Sequence, residues 1–210
     1  MYSSLVDFTR SLEPNCDKGD FKKDMVTIHH MAGALTPDSY IATAKSRRNS
    51  ANYSVYSDGT IVGHIPEEYR SWCSSSAAND RRAITIEVAN NSGAPNWTIS
   101  KKAWESLVRL LADISERHKM GGFRFLNDCT ELNSPEKQNV TLHRWFSATA
   151  CPGPYLYGNM KSLCDDANRL IDKNKRLYKV QVGAFSKKEN ADKFLKEVRK
   201  NYPSSFINKE

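Results

Sequence analysis

The segment TLHRWFSATACPGP contains a histidine and a cysteine eight positions apart, His143 and Cys151. Two ligands on one face of a helix lie three or four residues apart, so a loop must bring these side chains together. Three interpretations stay open for Cys151: a buried structural thiol, half of a disulfide, or one arm of a metal site. As a ligand pair, a soft thiolate and an imidazole favour zinc over magnesium or calcium.

A third donor would turn this pair into a metal centre. The stretch VTIHHMAG ends a predicted strand with two adjacent histidines, His29 and His30. Side chains alternate along a strand, so only one of the two can join a given site. We take His29 as the candidate ligand and His30 as structural. Three protein ligands leave a fourth position open, as in zinc sites that catalyse hydrolysis.

Glu87 is the one acid in the β-branched stretch AITIEVANN. A carboxylate in a central strand is costly unless it is paired or functional. One interpretation is an ion pair with Arg81 or Arg82. The other is a general base beside the metal, with its pKa raised by burial. Residue chemistry alone does not choose between them.

The elements around these residues alternate between strands and helices. KDMVTIHHMAG predicts a strand, Thr36 and Pro37 begin a helix, and Asp58-Gly59 turns a hairpin. RAITIEVANN predicts another strand, Ser100 caps a helix through ISKKAWESLVRLLADISERH, and YLYGNMKSLCDDANRLIDKN predicts the last helix of the body. Residues 121–140 read as an irregular loop. The expected class is α/β, with a mixed central β-sheet flanked by helices and a small βα appendage at the C-terminus.

Residues 174–210, called the tail below, form a separate predicted domain after a body of residues 1–173. LYKVQVGAF predicts a strand, SKKENADKFLKEVRKN a helix with Ser186 and Glu189 at capping-box spacing, and SSFIN a second strand. A segment this short cannot bury a core alone. The tail has ten Lys and Arg against four Asp and Glu, a net +6 of the chain's +7. This charge suits a polyanionic partner, either nucleic acid or an anionic cell-wall polymer.

Composition excludes a membrane protein and a disulfide framework. Hydrophobic residues make up 39% and charged residues 26%, and no apolar run approaches the length of a membrane span. Five scattered cysteines without a CxxC pair do not form a disulfide framework. The first residues lack a secretory signal pattern, so we expect synthesis in the cytoplasm and action elsewhere only after release.

Four motifs in order carry a family resemblance: VTIHHMAG, ANYSVYSDGTIVGHI, NDRRAITIEVANN and LHRWFSATACPGPYL. Over roughly residues 20–172, the chain resembles the type 2 N-acetylmuramoyl-L-alanine amidases, a superfamily that includes peptidoglycan recognition proteins and many phage endolysins. The resemblance implies Zn²⁺ held by His29, His143 and Cys151, with Glu87 as general base. Thr149 stands where some members have a lysine that polarises the substrate carbonyl.

The resemblance also implies the reaction, which is hydrolysis of the amide bond between N-acetylmuramic acid and L-alanine in peptidoglycan. An endolysin or autolysin of this kind lyses the bacterial cell wall. Asn52, Tyr53 and Trp72, with the loop that follows Trp72, are expected to line the substrate cleft. The alternative is a non-catalytic peptidoglycan-binding module, which would be expected to have lost a ligand.

The tail resembles the first half of a SPOR domain, a module that binds peptidoglycan glycan strands. The resemblance covers YKVQVGAFSKKENADKFLKEVRK and implies a cell-wall partner. Three interpretations stay open for this half-length segment: it docks on the body, two chains complete each other's half-domain in a homodimer, or it is a remnant. A nucleic-acid partner is not expected, because Phe185 and Phe194 fit a core better than a base-stacking surface.

Overall fold

The structure is a computed structural model that describes residues 1–175, 182–203, 205 and 207. The chain divides into two compact units, Met1–Asn174 and Lys175–Glu210. Among the helices in the described part of the chain, none is both long and apolar enough to cross a membrane.

The strands of the first unit form one large and one small sheet. They are β1 (Phe8–Thr9), β2 (Cys16–Asp17), β3 (Met25–His30), β4 (Tyr53–Val55), β5 (Ile61–Gly63), β6 (Arg70–Ser71), β7 (Ala83–Val88) and β8 (Val140–Leu142). The large sheet has the order β1-β5-β4-β7-β3-β8, and β2 pairs with β6 in the small one. In the large sheet β4 and β5 are antiparallel and the other neighbours are parallel, which confirms the mixed central sheet.

Helices connect these strands and cover the sheet. They are α1 (Pro37–Arg47), α2 (Ala77–Arg82), α3 (Lys101–Arg117), α4 (Gly153–Lys175) and, in the second unit, α5 (Lys188–Asn201), with a 3₁₀ turn at His143–Trp145. The helices and the mixed sheet together confirm the predicted α/β class.

Local signals set the first helix and the hairpin. The Thr36 hydroxyl accepts a hydrogen bond from the Ser39 amide, and the Ser39 hydroxyl accepts one from the Thr36 amide, a reciprocal cap that begins α1 at Pro37. Gly59 takes a φ of +95° in the turn between β4 and β5, a region that glycine enters without strain. Both predicted boundaries are confirmed.

Two apolar cores lie on the faces of the large sheet. Strand β5 contributes to both, since Ile61 belongs to one core and its neighbour Val62 belongs to the other. This separation follows from the alternation of side chains along a strand. Helices α3 and α4 cover the first core, for example through Leu107 and Met160, and α1 covers the second through Tyr40. Each such fully buried side chain contributes about 1.5–3 kcal/mol of apolar burial.

The structure corrects several expectations. Val140 begins β8, which pairs with β3, rather than ending an irregular loop. Helix α5 begins after Lys187 without a side-chain cap, so the capping box predicted at Ser186 is wrong. The predicted tail strand at 177–185 lies outside the described residues up to 181, and 182–185 form no strand. The second predicted strand, 204–208, also falls largely outside the described residues.

Candidate metal centre

Three neighbouring elements bring the predicted donors to one point. His29 lies near the end of β3, His143 directly follows β8, which pairs with β3, and Cys151 lies just before α4. One ligand atom from each residue lies within 4.8 Å of the others. The structure therefore assembles the donor set that the sequence suggested from distant segments.

The contacts within this set are close. His29 is 1% exposed, and its Nδ1 atom lies 3.4 Å from Cys151 Sγ. The rings of His29 and His143 have centroids 5.0 Å apart. His143 is half-buried, and its Nε2 atom lies 3.3 Å from the hydroxyl of Ser75. The two imidazoles and the thiol thus lie close together.

The protonation states of these donors suit a metal of intermediate softness. Burial, reinforced by His143 and His30, lowers the pKa of His29 well below its usual value, so its imidazole is neutral. Burial and the nearby charge of Glu87 raise the pKa of the Cys151 thiol, against a backbone hydrogen bond from His30. A coordinated metal removes the thiol proton outright. This nitrogen and sulfur donor set fits zinc.

Gly153 supports the loop that presents Cys151. Its φ is +80°, and a Cβ atom on it would lie 2.7 Å from the His30 ring. The His30 ring in turn packs edge-on against Trp97, with centroids 5.7 Å apart. The glycine of the Pro-Gly-Pro sequence therefore allows the backbone next to Cys151 to rest directly on His30. This role gives His30 the structural function predicted for it.

Glu87 lies beside the donors on β7. It is the partner of His29 in the register of β3 and β7. Its Oε2 atom is shielded from solvent and has no hydrogen-bond partner, and its Oε1 atom lies 4.0 Å from Cys73 Sγ. Burial raises the pKa of Glu87 to about 7, against the opposing charge of Arg47. The carboxyl group can therefore exchange a proton near neutral pH.

The rival interpretation of Glu87, an ion pair with a neighbouring arginine, does not hold. Arg82 pairs with Asp24 at 2.9 Å, and the guanidinium of Arg81 lies over the ring of Phe21. Both arginines are thus engaged elsewhere, and neither forms an ion pair with Glu87.

The remaining predicted site residues separate into two groups. The Thr149 hydroxyl accepts a hydrogen bond from the Cys151 amide at 3.2 Å, so it lies next to a donor. Trp72 is half-buried, and its indole N–H donates to Asp17 at 2.9 Å. Trp72 begins the loop from which Cys73 and Ser75 reach the site, and its contact with substrate stays a prediction.

Asn52 and Tyr53 lie in the interior, and both are 0% exposed. The Asn52 side chain accepts from the Thr85 amide and donates to the carbonyl of Ile65. The Tyr53 hydroxyl donates to Glu67. Their polar atoms are hydrogen-bonded to other residues of the protein, so the expectation that they line the cleft is wrong. The hairpin sequence predicted the strand but did not show that β4 is covered on both faces.

The loop after Trp72 was expected near the cleft, but the contacts of Cys73 with Glu87 and of Ser75 with His143 were not predicted from the sequence. Asp80 fixes their loop, since its carboxylate accepts from the backbone amides of Cys73 and Ser74, each at 3.0 Å. Ser76 caps the short helix that carries Asp80. The run SSSAAND contains a capping serine before an acid, a signal that would have located the loop but not its neighbours.

Two family models match the chain. The model described as N-acetylmuramoyl-L-alanine amidase matches residues 20–154, and the SPOR domain model matches residues 165–209. The first match contains all three donors and Glu87. No curated protein sequence matches the chain.

Solved structures share the fold. The protein PlyL superimposes with a TM-score of 0.56 at 15% identity, over 76% of this chain and 94% of that one. The Staphylococcus aureus hydrolase AmiA, in complex with its ligand, gives a TM-score of 0.58 at 18% identity, over 83% and 88% of the two chains. The N-acetylmuramoyl-L-alanine amidase LysC from Clostridium intestinale URNW gives 0.51 at 18% identity, over 73% and 96%.

The family match spans more than half of the chain and coincides with the sheet that positions the donors. A separate SPOR domain match follows it. The chain therefore belongs to the N-acetylmuramoyl-L-alanine amidase family.

Proposed function

We propose that this amidase is a zinc enzyme in which His29, His143 and Cys151 hold Zn²⁺ and Glu87 is the general base. The reaction is hydrolysis of the amide bond between N-acetylmuramic acid and L-alanine in peptidoglycan, which lyses the bacterial cell wall. A bound zinc ion supplies Lewis acidity, lowering the pKa of a water towards about 7 and polarising the carbonyl under attack. The observation that carries the proposal is the unpaired, shielded carboxylate of Glu87 beside a neutral His-His-Cys donor set.

Glu87 moves the proton in this scheme. Its carboxylate accepts a proton from the attacking water, and the resulting acid delivers it to the leaving amine of L-alanine. A base works best when its pKa lies near the working pH, and burial raises the pKa of Glu87 to about 7. No arginine in the described part of the chain forms an ion pair with it, and its Oε2 atom has no hydrogen-bond partner there, so this oxygen is available for proton transfer.

Thr149 is proposed to orient the substrate carbonyl. Its hydroxyl oxygen accepts from the Cys151 amide, which leaves the hydroxyl proton to point towards a substrate oxygen. Such a donor stabilises negative charge that develops during attack. Trp72, on the loop that Asp80 fixes, is proposed to line the cleft near the half-buried His143.

The alternative function is a peptidoglycan-binding module without activity. Wall digestion separates the two: purified cell walls are incubated with the full chain, with and without a chelator, and new L-alanine amino termini are counted. We expect termini that disappear on chelation. New reducing sugar ends, or wall binding without new termini, would contradict the amidase proposal.

The tail is proposed to be a wall-binding domain of residues 174–210, beside a catalytic domain of residues 1–173. The amidase and SPOR matches both indicate peptidoglycan as partner. The net charge of +6 favours an anionic polymer. Deleting residues 177–210 should reduce pelleting with cell walls and spare hydrolysis of soluble fragments; unchanged pelleting would contradict this role.

We also propose that tails from two chains pair. Phe185 and Phe194 contact each other with ring centroids 5.4 Å apart, yet they remain 44% and 39% exposed. No described residue of α5 is buried, so its apolar side chains are available to a second tail. Light scattering over a range of concentrations should show a dimer that Phe194→Glu dissociates. A monomer at all concentrations would exclude pairing.

A further inference from the structure

A second group of donor atoms lies beside the proposed zinc site and shares one residue with it. A ring nitrogen of His29, the Sγ atom of Cys73 and a carboxylate oxygen of Glu87 lie within 4.8 Å of one another. This is the same limit within which the donor atoms of His29, His143 and Cys151 are gathered. The second group offers nitrogen, sulfur and oxygen, all of which zinc accepts as ligands.

Two atoms of the second group are buried and have no hydrogen-bond partner among the residues that the structure describes. They are Nε2 of His29 and Oε2 of Glu87. The His29 side chain is almost wholly buried, and its Nδ1 atom is the one that faces Cys151, at 3.4 Å. Nε2 is therefore left for a different occupant. A buried polar atom without a partner is unfavourable, and an additional ligand would offset that cost.

Cys73 is held in place although the proposed reaction does not use it. Its backbone amide donates to Asp80 at 3.0 Å, and its Sγ atom lies 4.0 Å from Glu87 Oε1. Cys73 as a residue is partly exposed, unlike a core cysteine such as Cys164. A fixed thiol, an unpaired carboxylate and an unpartnered imidazole nitrogen together are the elements of a cation site.

We propose that Cys73, Glu87 and Nε2 of His29 form a second, inhibitory position for a divalent cation, which zinc occupies when it exceeds one equivalent. Both positions draw on His29, one through each ring nitrogen, so filling both releases the remaining N–H proton of the imidazole to solvent. A cation at the second position holds the Glu87 carboxylate as a ligand, so the carboxylate no longer accepts a proton from water. This last step rests on the proposed function, whereas binding of the second cation does not.

Metal binding alone tests the site. The full chain, stripped of metal, is titrated with Co²⁺ while the thiolate-to-cobalt absorbance and the bound metal are measured. We expect about two equivalents in the wild type and about one in Cys73→Ala. Cys129→Ser removes an exposed thiol elsewhere and should still bind about two. If Cys73→Ala lacks a cooperative unfolding transition, Cys73→Ser takes its place. One equivalent in the wild type, or two in the Cys73 variants, would overturn the proposal.

Wall hydrolysis supplies a second readout. At zinc about tenfold above the dissociation constant of the second position, only about a tenth of the wild-type molecules keep it free, so the rate should fall about tenfold. Cys73→Ala, compared with its own rate at one equivalent of zinc, should lose no activity under the same conditions. Equal inhibition of both proteins would refute the second position. A chain that binds two cations but releases no L-alanine termini would instead refute the amidase proposal and leave the second position standing.

Discussion

Glu67 and Glu87 are carboxylates shielded from solvent in the same unit, and their surroundings have opposite effects. Glu67 accepts hydrogen bonds from Tyr53, Arg117 and His118. Burial alone would raise the pKa of Glu67, but these hydrogen bonds outweigh it and lower the pKa to about 2. Around Glu87 burial has no such opposition, and the pKa rises to about 7.

The difference separates structural from chemical roles. A buried acid that is fully paired stabilises one folded arrangement. Removing one partner leaves the other charge buried without compensation, which lowers the free energy of unfolding. A buried acid that lacks a partner costs stability and persists where a reaction uses it. The comparison therefore predicts that activity depends on Glu87 and stability on Glu67.

The largest expected effect is on activity at Glu87. Glu87→Gln removes the proton acceptor and keeps the shape, so we expect the rate of L-alanine terminus release to fall about 10²–10⁴-fold. The free energy of unfolding should fall by no more than about 1 kcal/mol, since no ion pair is lost. Rate assays and urea denaturation of the same preparation check both parts. A variant that keeps its rate would remove Glu87 from the mechanism.

Glu67→Gln should show the reverse pattern. It leaves Arg117 and His118 without their shared carboxylate, and breaking a buried ion pair costs about 3–5 kcal/mol; because Asp113 still pairs with Arg117, we expect the lower end. The rate per folded molecule should match the wild type. Urea denaturation and active-fraction measurements test this. A loss of rate without a loss of stability would break the distinction between the two acids.

The pH dependence of stability sharpens the same distinction. The folded pKa of Glu67 is lowered from 4.5 to about 2, so its stabilisation is present above about pH 4.5 and is lost as the pH falls towards 2. Between about pH 5 and about pH 3 the wild type should lose about 2 kcal/mol through this group. Glu67→Gln should lack that component. Urea denaturation of both proteins at the two pH values measures the difference, and equal losses would contradict it.

The start of α1 and the hairpin turn were predicted correctly, because a few neighbouring residues determine them. Thr36 with Pro37 set the start of α1, and Asp58-Gly59 set the hairpin turn, because caps and turns depend on a few adjacent residues. Family resemblance then identified the donors, which the structure gathers within 4.8 Å. The two-residue strands β1, β2 and β6 were not predicted, because they are too short to show any periodicity.

Burial and side-chain partners were not predicted where they depend on residues far apart in the sequence. Asn52 and Tyr53 are fully buried because neighbouring elements cover both faces of β4, which local sequence does not reveal. The two interpretations of Glu87 differed in what Arg81 and Arg82 contact, and Asp24, the partner of Arg82, lies 58 positions away from it. Likewise, the approach of Cys73 to Glu87 depends on how Asp80 folds its loop.

The smallest effects on stability are expected at two glycines near the start of α4, where the comparison concerns the backbone instead of a charge. Gly153 has a φ of +80°, and a Cβ atom on it would lie 2.7 Å from the His30 ring. Gly153→Ala should therefore lower the free energy of unfolding by about 1–2 kcal/mol, because its backbone is left-handed. It should also weaken cobalt binding by displacing Cys151. Gly158 lies within the helix, and a Cβ atom there meets nothing within 4 Å. Gly158→Ala should therefore add about 0.5–1 kcal/mol, because alanine loses less backbone entropy in a helix. Urea denaturation and cobalt titration of both variants measure the contrast. Changes of the same sign would show that the donor loop does not depend on its contact with His30.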